Sequence, residues 1–428
     1  MRSGLFRVFR STGDMRVITD FHLHSKWSRA CSKDLTLPNI AHTCERKGID
    51  FVGTSDFTHP AWRQEIGRDL VDDGGGTFRL QDGSSKTRFL LTTELSCIYK
   101  RGGKVRRVHL CILCSSLEGV DRFTKALVNR GCNLKADGRP ILGIDSEELL
   151  KMLLDADPGA LMIPAHAWTP WFAVFGSQSG FDSLEECFGE MTPHIHAIET
   201  GLSSDPKMNW RLPSLDQVFL VSNSDAHSLD KLGREANVFE MKEPSFAELR
   251  RILVEKDVKK FIETIEFFPE EGKYHVDGHR LCDFSCTPQE TKRLKGLCPK
   301  CGKPLTVGVL HRIDDLAERA EGERGKLAVP FRSIVPLAEL IGSVLDVGPS
   351  SKKVAREVER LVKDGRTEFG VLLDEPAKVL SQHVSPEIVE AILRMRKGEM
   401  DIRPGFDGEY GVIRVAQDTP KQKQQNLL

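Results

Sequence analysis

Short apolar runs alternate with helix-like segments from Val17 to about Ile265. The runs include "RVITDFHL", "IDFVGTSD", "ALMIPAHA", "IHAIETG" and "QVFLVSNSDAH". Between them lie "LPNIAHTCERKG", with an early proline and a final glycine, and "SEELLKMLLDADP", both typical of helices. Strands and helices in this order predict a mostly parallel sheet or a (β/α) barrel, in which catalytic side chains lie at the carboxyl ends of the strands.

Side chains that can bind a metal stand at the ends of these runs. In "ITDFHLHS" the side-chain period of a strand puts Asp20, His22 and His24 on one face. Two histidines bonded to neighbouring carbonyl groups would be the commoner explanation of an isolated pair. Further candidates in or just beyond the other predicted strands are Asp56, His59, Glu94, His166, Glu199, Asp225 and His227. So many candidates on one rim predict a shared metal site.

The loop "RGGK" at 101–104 predicts a hairpin that carries Glu94 on one arm and His109 on the other. Mixed imidazole and carboxylate ligands suit Zn²⁺, Mn²⁺ or Fe²⁺ and disfavour a site for Mg²⁺ or Ca²⁺ alone. Two ions about 3.5–4 Å apart can activate a water near neutral pH and stabilise the oxygen that leaves a phosphate ester. The predicted chemistry is therefore metal-dependent hydrolysis of a phosphate ester.

Composition limits the cellular setting and the partners. The formal net charge of −1 argues against a protein that coats nucleic acid, although a local basic groove remains open. Several of the 11 cysteines lie in apolar runs such as "VHLCILC", which favours reduced thiols over disulfides. No stretch approaches the roughly 20 apolar residues of a membrane span, and "MRSGLFRVFR" lacks the core of a secretory signal. We expect a cytoplasmic protein without a membrane partner.

The pattern divides the chain into four parts. Residues 1–14 precede the first strand as a candidate extension, and residues 15–265 form the predicted catalytic barrel. Residues 266–312 have fewer apolar side chains and contain a cluster of cysteines. Residues 313–428 are mostly amphipathic and helical and end in the polar tail "PKQKQQNLL".

The third part predicts a structural zinc site. Cys298 and Cys301 have the C-x2-C spacing of a zinc knuckle, and Cys282 is the preferred third ligand. The fourth ligand is open, because Cys286 would give C-x3-C and His279 would give H-x2-C, and spacing mildly favours Cys286. A module with so few apolar side chains would scarcely fold without the ion.

The motifs "DFHLH", "TSDFTH", "TTELS", "VHL", "PAHA", "AIETG" and "SDAH" resemble the polymerase and histidinol phosphatase (PHP) superfamily in their order and spacing. The resemblance implies a distorted (β/α)7 barrel that holds two or three divalent ions, drawn from Zn²⁺, Mn²⁺ and Mg²⁺. The implied ligands are His22, His24, Asp56, Glu94, His109, His166, Asp225 and His227. Phe57 departs from the pattern where a histidine is usual, so His59 could substitute, and Glu199 is either a ligand or a residue that orients one.

Longer stretches resemble the endonuclease Q family within this superfamily. They include "ETGLSSDPKMNWRLPSLD", "SNSDAHSLDKLGREANVFE" and "CPKCGKPLTVGVLHR", and the likeness runs from Met15 to Val415. It implies a repair enzyme that cuts DNA on the 5′ side of uracil, hypoxanthine, xanthine and abasic sites. His22, His24, Asp225 and His227 would be catalytic through the metals, and the family favours His279 as the fourth zinc ligand.

An enzyme that inspects a deaminated base must flip it out of the stack into a pocket. Candidates for base or DNA contact are Trp168, Trp171, Phe172, Asn209, Trp210 and Asn223, although the rings could equally seal the barrel mouth as core. The basic segment "YKRGGKVRR" agrees with a DNA partner, although a solvated surface is the commoner explanation of such a run. A sliding clamp is a further candidate partner, and we expect a monomer.

Two alternatives belong to other functional classes. A small-molecule phosphatase, as some PHP proteins are, would need neither the zinc knuckle nor the aromatic loop. A noncatalytic PHP module that binds DNA is weakened because most ligand positions are filled.

Overall fold

The computed structural model describes residues 13–415, so most of the candidate extension at 1–14 and the polar tail from 416 onward lie outside the described residues. The strands within the described range are β1 (Met15–Asp20), β2 (Phe51–Gly53), β3 (Leu70–Gly74), β4 (Thr77–Leu80), β5 (Arg88–Arg101), β6 (Lys104–Cys114), β7 (Ile141–Leu142), β8 (Leu161–Pro164), β9 (Ala197–Glu199), β10 (Phe219–Val221), β11 (Ala236–Met241), β12 (Phe261–Glu266), β13 (Asp277–His279), β14 (Phe284–Cys286), β15 (Phe331–Ser333), β16 (Met400–Arg403) and β17 (Val412–Val415).

Helices lie between many of these strands, as the predicted α/β order requires. The α-helices are α1 (Leu37–Lys47), α2 (Pro60–Asp69), α3 (Leu117–Asn129), α4 (Ser146–Ala156), α5 (Leu184–Phe188), α6 (Pro206–Asn209), α7 (Phe246–Val254), α8 (Pro288–Arg293), α9 (Val309–Leu316), α10 (Leu337–Leu345), α11 (Lys352–Leu361), α12 (Ala377–Leu380) and α13 (Pro386–Arg396). The predicted first helix begins after Thr36, whose side chain accepts from the Asn39 amide, and ends at Gly48 with φ of 87°. Among the described residues, no helix has the length and apolar character needed to cross a membrane.

The candidate site lies at the ends of a wall of strands formed by β1, β2, β5, β6, β8, β9 and β10. β1, β2 and β5 run parallel to one another, and β6 links β5 to β8 through antiparallel pairing on both sides. β9 and β10 form a separate parallel pair. The Ala167 amide joins the end of β8 to the Glu199 carbonyl over 3.0 Å, and a bridge between Leu23 and Ala226 joins the end of β10 to that of β1. The predicted barrel-like α/β fold is confirmed.

The expectation of a mostly parallel sheet needs a correction. β6 is antiparallel because the "RGGK" hairpin reverses the chain, and β11 is antiparallel to both β1 and β12. Both faces of the central strands are nevertheless buried, as in other α/β folds. Val17 and Phe51 belong to one apolar cluster, whereas Ile18 and Val52 face the other, which includes side chains of several helices.

The region after the cysteine module contributes to the same sheet. β15 pairs in parallel with β12, so a strand from the predicted fourth part extends the barrel sheet. Helices α10 and α13 pack together and share an apolar cluster with the barrel. The turn-rich segment near the C-terminus forms the hairpin of β16 and β17. The four-part division of the chain remains a prediction.

Candidate metal centre

Four side chains from distant parts of the chain meet beyond the ends of the first strands. His24 Nε2 lies 3.2 Å from Glu94 Oε2 and 3.1 Å from Asp225 Oδ1. His22 Nε2 lies 3.6 Å from each of the same two oxygen atoms. We call His22, His24, Glu94 and Asp225 the first ligand group. Their donor atoms lie within 4.8 Å of one another, as ligands of one ion would.

The second ligand group shares Glu94 with the first. Glu94 Oε1 lies 2.7 Å from His109 Nδ1 and 3.3 Å from His166 Nε2, and these two imidazole nitrogens are 3.2 Å apart. One oxygen of Glu94 thus faces each group, which is the arrangement of a carboxylate that bridges two ions. The predicted β5–β6 hairpin is confirmed, and its register sets Ser96 opposite His109 and Glu94 opposite Cys111.

The first group fits a divalent cation on its own geometry. His22 Nε2 is buried and has no hydrogen-bond partner, although it points toward two carboxylates. Ligand atoms at about 2.0–2.1 Å in a tetrahedron stand roughly 3.3 Å apart, close to the 3.1–3.6 Å separations found here. Imidazole and carboxylate donors in this proportion can hold a divalent metal.

Further side chains orient the imidazoles. His22 Nδ1 lies 2.9 Å from Glu199 Oε2, so donation to Glu199 leaves Nε2 free to face the first group. Glu199 is itself held by the Asn223 side chain, which donates over 2.9 Å, and by the His166 amide, which donates over 2.7 Å. On His166, Nδ1 contacts the Thr169 hydroxyl at 3.1 Å, and Nε2 faces the second group.

Asp20, Asp56, His59 and His227 stand outside both groups. β1 ends at Asp20, whose carboxylate accepts from the Ser224 and Gly233 amides and does not join the cluster. Asp56 Oδ1 is buried without a hydrogen-bond partner and lies 3.5 Å from His24 Nδ1. His59 stacks on Trp27 with ring centroids 4.7 Å apart. The His227 ring lies 4.5 Å from that of His24.

The charges of the two groups compensate one another. Burial alone would raise the pKa of Asp225. The hydrogen bond from His24 and the positive charges of His22 and His24 instead hold this pKa below its usual value. Burial opposes protonation of His22 and His24, yet the facing acidic groups raise the pKa of both well above the ordinary range. His109 differs, because burial outweighs Glu94 and lowers its pKa to about 4. Carboxylates so strongly stabilised in the charged form favour cations at this position.

The backbone is strained where three of these residues lie. Asp56, His166 and Asp225 have φ values of 41°, 29° and 45°, in the left-handed region that residues with a Cβ rarely adopt. Each follows the end of a wall strand. Strain of this kind persists where surrounding contacts hold it, and it turns the side chains toward the site.

The aromatic candidates fall into exposed and buried sets. Trp171 is 48% exposed, and the Phe172 ring lies 4.6 Å from that of His109. Trp168 is buried and donates to Asn209 Oδ1 over 2.7 Å, which makes this pair part of the packing. Trp210 is also buried, and the guanidinium of Arg324 lies over its ring. The sixth candidate, Asn223, is buried behind Glu199 as described above.

The basic hairpin is less available than its sequence suggests. Arg101 pairs with Asp145 at 3.0 Å and with Glu147 at 3.1 Å. Arg106 lies over the Phe181 ring and donates to a backbone carbonyl. Two of its five basic side chains are therefore committed to contacts within the protein.

Four side chains of the cysteine module form a separate ligand group. His279, Cys282, Cys298 and Cys301 have donor atoms within 4.8 Å of one another. Cys286 does not belong to this group, and its thiol lies 3.2 Å from the Thr291 hydroxyl. The geometry therefore favours His279 over Cys286 as the fourth ligand, against the preference from spacing.

Sequence reasoning missed three side chains at the centre. Cys111 stands with His22 and Glu199 in a third group of candidate donors. Arg139 donates to Glu94 Oε2 over 3.0 Å. Trp27 is partly exposed and stacks on His59. The register opposite Glu94 could have indicated Cys111, whereas no local pattern marks Arg139 or Trp27.

Comparison with known proteins gives matches over part and over nearly all of the chain. A family model described as the MJ0043 C-terminal domain matches residues 336–399. The chain is 32% identical over 255 residues to the uncharacterized protein MJ0043 of Methanocaldococcus jannaschii, covering 58% of this chain but only 31% of that relative. It is 29% identical over 417 residues to the uncharacterized protein YqxK of Bacillus subtilis, covering 93% of this chain and 99% of that one.

Two solved structures share the whole fold. The lesion-specific endonuclease PfuEndoQ from Pyrococcus furiosus is 32% identical, with a TM-score of 0.84, over 97% of this chain and 100% of that chain. An endonuclease Q in complex with a 27-mer duplex substrate, with an abasic lesion at its active site, is 33% identical, with a TM-score of 0.82 and the same coverage. Identity above 30% across both complete chains shows that this chain belongs to the endonuclease Q family.

Proposed function

We propose that this protein is a metal-dependent DNA repair endonuclease. It cuts the phosphodiester on the 5′ side of deaminated bases, namely uracil, hypoxanthine and xanthine, and of abasic sites. The likeness to a lesion-specific endonuclease over 97% of the chain carries the proposal. The second structure, an endonuclease Q whose active site holds an abasic lesion in duplex DNA, supports lesion-containing duplexes as the substrate class.

The two ligand groups would each hold a divalent ion, with Zn²⁺, Mn²⁺ and Mg²⁺ as the candidates. Such ions activate water and neutralise the charge that develops on phosphate. Glu94 contributes one oxygen to each group, which fixes their separation. The buried, unpaired Nε2 of His22 and the low pKa of Asp225 support the assignment of the first group.

The remaining candidate ligands have supporting roles in this proposal. Glu199 orients His22, and Asp56 faces Nδ1 of His24. His59 and His227 lie at the margin of the cluster, where the side chain of His227 is 34% exposed. His227 can therefore contact substrate, together with the catalytic set of His22, His24 and Asp225.

The flipped base needs a partly exposed pocket beside the cluster. Trp171 and Phe172 meet this requirement, because Trp171 is exposed and Phe172 contacts His109. Asn223, Asn209, Trp168 and Trp210 are buried, so they contribute packing and not an exposed surface for the base.

The cysteine module is proposed to hold one structural zinc ion through His279, Cys282, Cys298 and Cys301. The family match in residues 336–399 supports a helical C-terminal part distinct from the catalytic barrel. A cytoplasmic location, a monomeric state and a sliding-clamp partner remain predictions from the sequence.

One cleavage panel tests the function. The purified protein is mixed with duplexes that carry a single uracil, hypoxanthine or abasic site, with an undamaged duplex and with a chromogenic phosphomonoester. We expect cuts 5′ to each lesion that leave 3′-hydroxyl and 5′-phosphate ends. Turnover of the phosphomonoester alone would instead identify a small-molecule phosphatase.

A matched pair of variants tests the site. Asp225→Ala should abolish cutting and retain binding of the lesion duplex, because it removes a ligand-type carboxylate from the first group. Asp121→Ala removes an exposed carboxylate on α3 that pairs with Arg63, and it should cut normally. Unchanged cutting by Asp225→Ala would contradict the assignment of the cluster.

A further inference from the structure

Arg139 is a cationic side chain placed directly against the two ligand groups. Its Nη1 donates to Glu94 Oε2 over 3.0 Å, and its side chain is 28% exposed. The Nε and Nη2 atoms make no hydrogen bond with the described part of the protein. A guanidinium carries five N–H donors in a planar fork, so most of its donors remain available at the edge of the site.

Hydrogen bonds on both sides of Arg139 fix the position of its backbone. Asp137 Oδ1 accepts from the amides of Arg139 at 3.1 Å and Arg29 at 3.2 Å. Its other oxygen lies 3.3 Å from the Arg29 side chain. Pro140, on the far side, accepts from the Ser96 amide over 3.1 Å and so ties the loop to β5.

Gly138 brings the same loop into contact with the cluster. A Cβ at this position would lie 2.3 Å from Asp56 Oδ2 and 2.4 Å from Ser28 Oγ, so no larger residue fits without displacing them. The Gly138 amide donates to the Trp27 carbonyl over 3.1 Å. Arg139 therefore lies in a short segment that is held by residues 27–29 on one side and by β5 on the other.

The Arg139–Glu94 pair is poorly explained as a structural ion pair. Glu94 already faces imidazoles of both ligand groups and has no lack of positive partners. Holding a guanidinium in a half-buried position costs desolvation energy. That cost is offset when the free donors meet an anion that arrives with the substrate.

We propose that Arg139 contacts a nonbridging oxygen of the phosphate that is cut. This inference rests on the proposed function and names a substrate-binding residue for it. Glu94 Oε2 belongs to the first ligand group and lies 3.0 Å from Arg139, so a phosphate at that group is within reach of the guanidinium. Donors aimed at phosphoryl oxygens stabilise the charge that develops in the transition state.

The first measurement is the rate of cutting of an abasic duplex. Arg139→Gln should slow cutting about 10²-fold or more, as loss of a donor to a developing anion does elsewhere. Arg139→Lys should recover part of the loss, because it keeps the charge but not the fork. Arg332→Gln is the control, since Arg332 on β15 is 34% exposed and pairs with Glu263 on β12 as Arg139 pairs with Glu94. It should cut at the parent rate.

The second measurement is binding, which separates contact with phosphate from a structural role. In an Asp225→Ala background, affinity is measured for an abasic duplex with either a normal phosphate or a neutral methylphosphonate on the 5′ side of the lesion. Arg139→Gln should weaken binding of the normal duplex about tenfold or more. It should weaken binding of the methylphosphonate duplex less than twofold.

The outcomes separate the inference from the function on which it rests. Equal weakening on both duplexes, or no weakening on either, would overturn the role of Arg139 while lesion cutting by the parent protein stands. A parent protein that neither cuts nor binds lesion duplexes would overturn the proposed function and this inference with it.

Discussion

Glu94 joins the two ligand groups, and its surroundings require a charged carboxylate. Burial would by itself raise the pKa of Glu94, but His109, Arg139 and His22 hold it well below the usual value. Each oxygen faces nitrogen atoms of a different group. A single side chain thus sets the distance between the two ligand groups.

Glu199 offers a test of orientation without loss of a direct ligand. Glu199→Gln keeps the size of the side chain but weakens the contact that fixes His22 Nδ1. Changes of this kind lower metal affinity about 10–100-fold. We expect cutting to require correspondingly more metal and to recover at saturation, as measured by metal titration.

The control for this variant is Glu368→Gln. Glu368 is a buried carboxylate that pairs with Arg46 and Lys47 away from the cluster. It should show the parent metal dependence. A Glu199→Gln protein with that same dependence would contradict the orienting role.

Glu266 predicts a pH dependence of folding stability. Burial raises its pKa to about 8, against the hydroxyls of Thr264, Thr200 and Ser222 that donate to it. Since an exposed glutamate has a pKa of about 4.3, folding takes up a proton between these pH values. The stabilisation is complete below about pH 4 and is lost as the pH rises through 8.

The measurement is urea unfolding of the parent and of Glu266→Gln at pH 5 and pH 9. The parent should lose several kcal/mol of its free energy of unfolding over this range. The neutral glutamine should remove the part of that change that Glu266 contributes, and an identical pH dependence in both proteins would show that Glu266 is charged when folded.

At the scale of elements, the cysteine module has little apolar core of its own. β13 and β14 are short, and the module's own apolar cluster is small. We therefore predict that its folding free energy comes largely from bonds to the proposed zinc ion. The four convergent donors explain how so polar a segment can keep a defined structure.

Zinc content distinguishes the two candidate fourth ligands. His279→Ala should lose one equivalent of zinc and destabilise the module, whereas Cys286→Ser should retain the metal. The reason is that Cys286 contacts Thr291 and stands outside the donor group. Metal analysis of the purified variants checks this, and the reverse result would restore the assignment from spacing.

In the whole molecule, the barrel and the C-terminal region share one sheet and one apolar cluster. β15 covers the free edge of β12, and Leu337, Leu340 and Ile341 of α10 are buried in the cluster that includes Ile18. Each such side chain contributes about 1.5–3 kcal/mol on burial. The catalytic barrel is therefore not expected to be stable alone.

A chain that ends at residue 312 tests this dependence. It exposes the edge of β12 and the apolar surface under α10, so we expect aggregation or a lower unfolding temperature. A chain that ends at residue 415 keeps all described elements and should unfold as the parent does. Equal thermal stability of the shorter chain would show that the barrel folds independently.

The sequence by itself determined much of the architecture. Strand and helix periodicities are local, so "LPNIAHTCERKG" and "SEELLKMLLDADP" were correctly predicted as helices and the "RGGK" segment as a hairpin. Chemically suitable side chains also lie beyond strand ends, as expected for an α/β fold. The length of the first strand was wrong, because β1 ends at Asp20 and that carboxylate binds backbone amides instead.

The pairing of the wall strands into a closed barrel determined which of those side chains lie close together. His24 and Asp225 are 201 residues apart in the chain and 3.1 Å apart in space, and this distance depends on every strand between them. The same closure placed Glu94 between the two groups and brought Arg139 to Glu94. The separate fold of the cysteine module placed His279, and not Cys286, among the thiols. Local sequence patterns identify the side chains that can act as ligands. Long-range packing sets the distances between their donor atoms, and metal coordination depends on those distances.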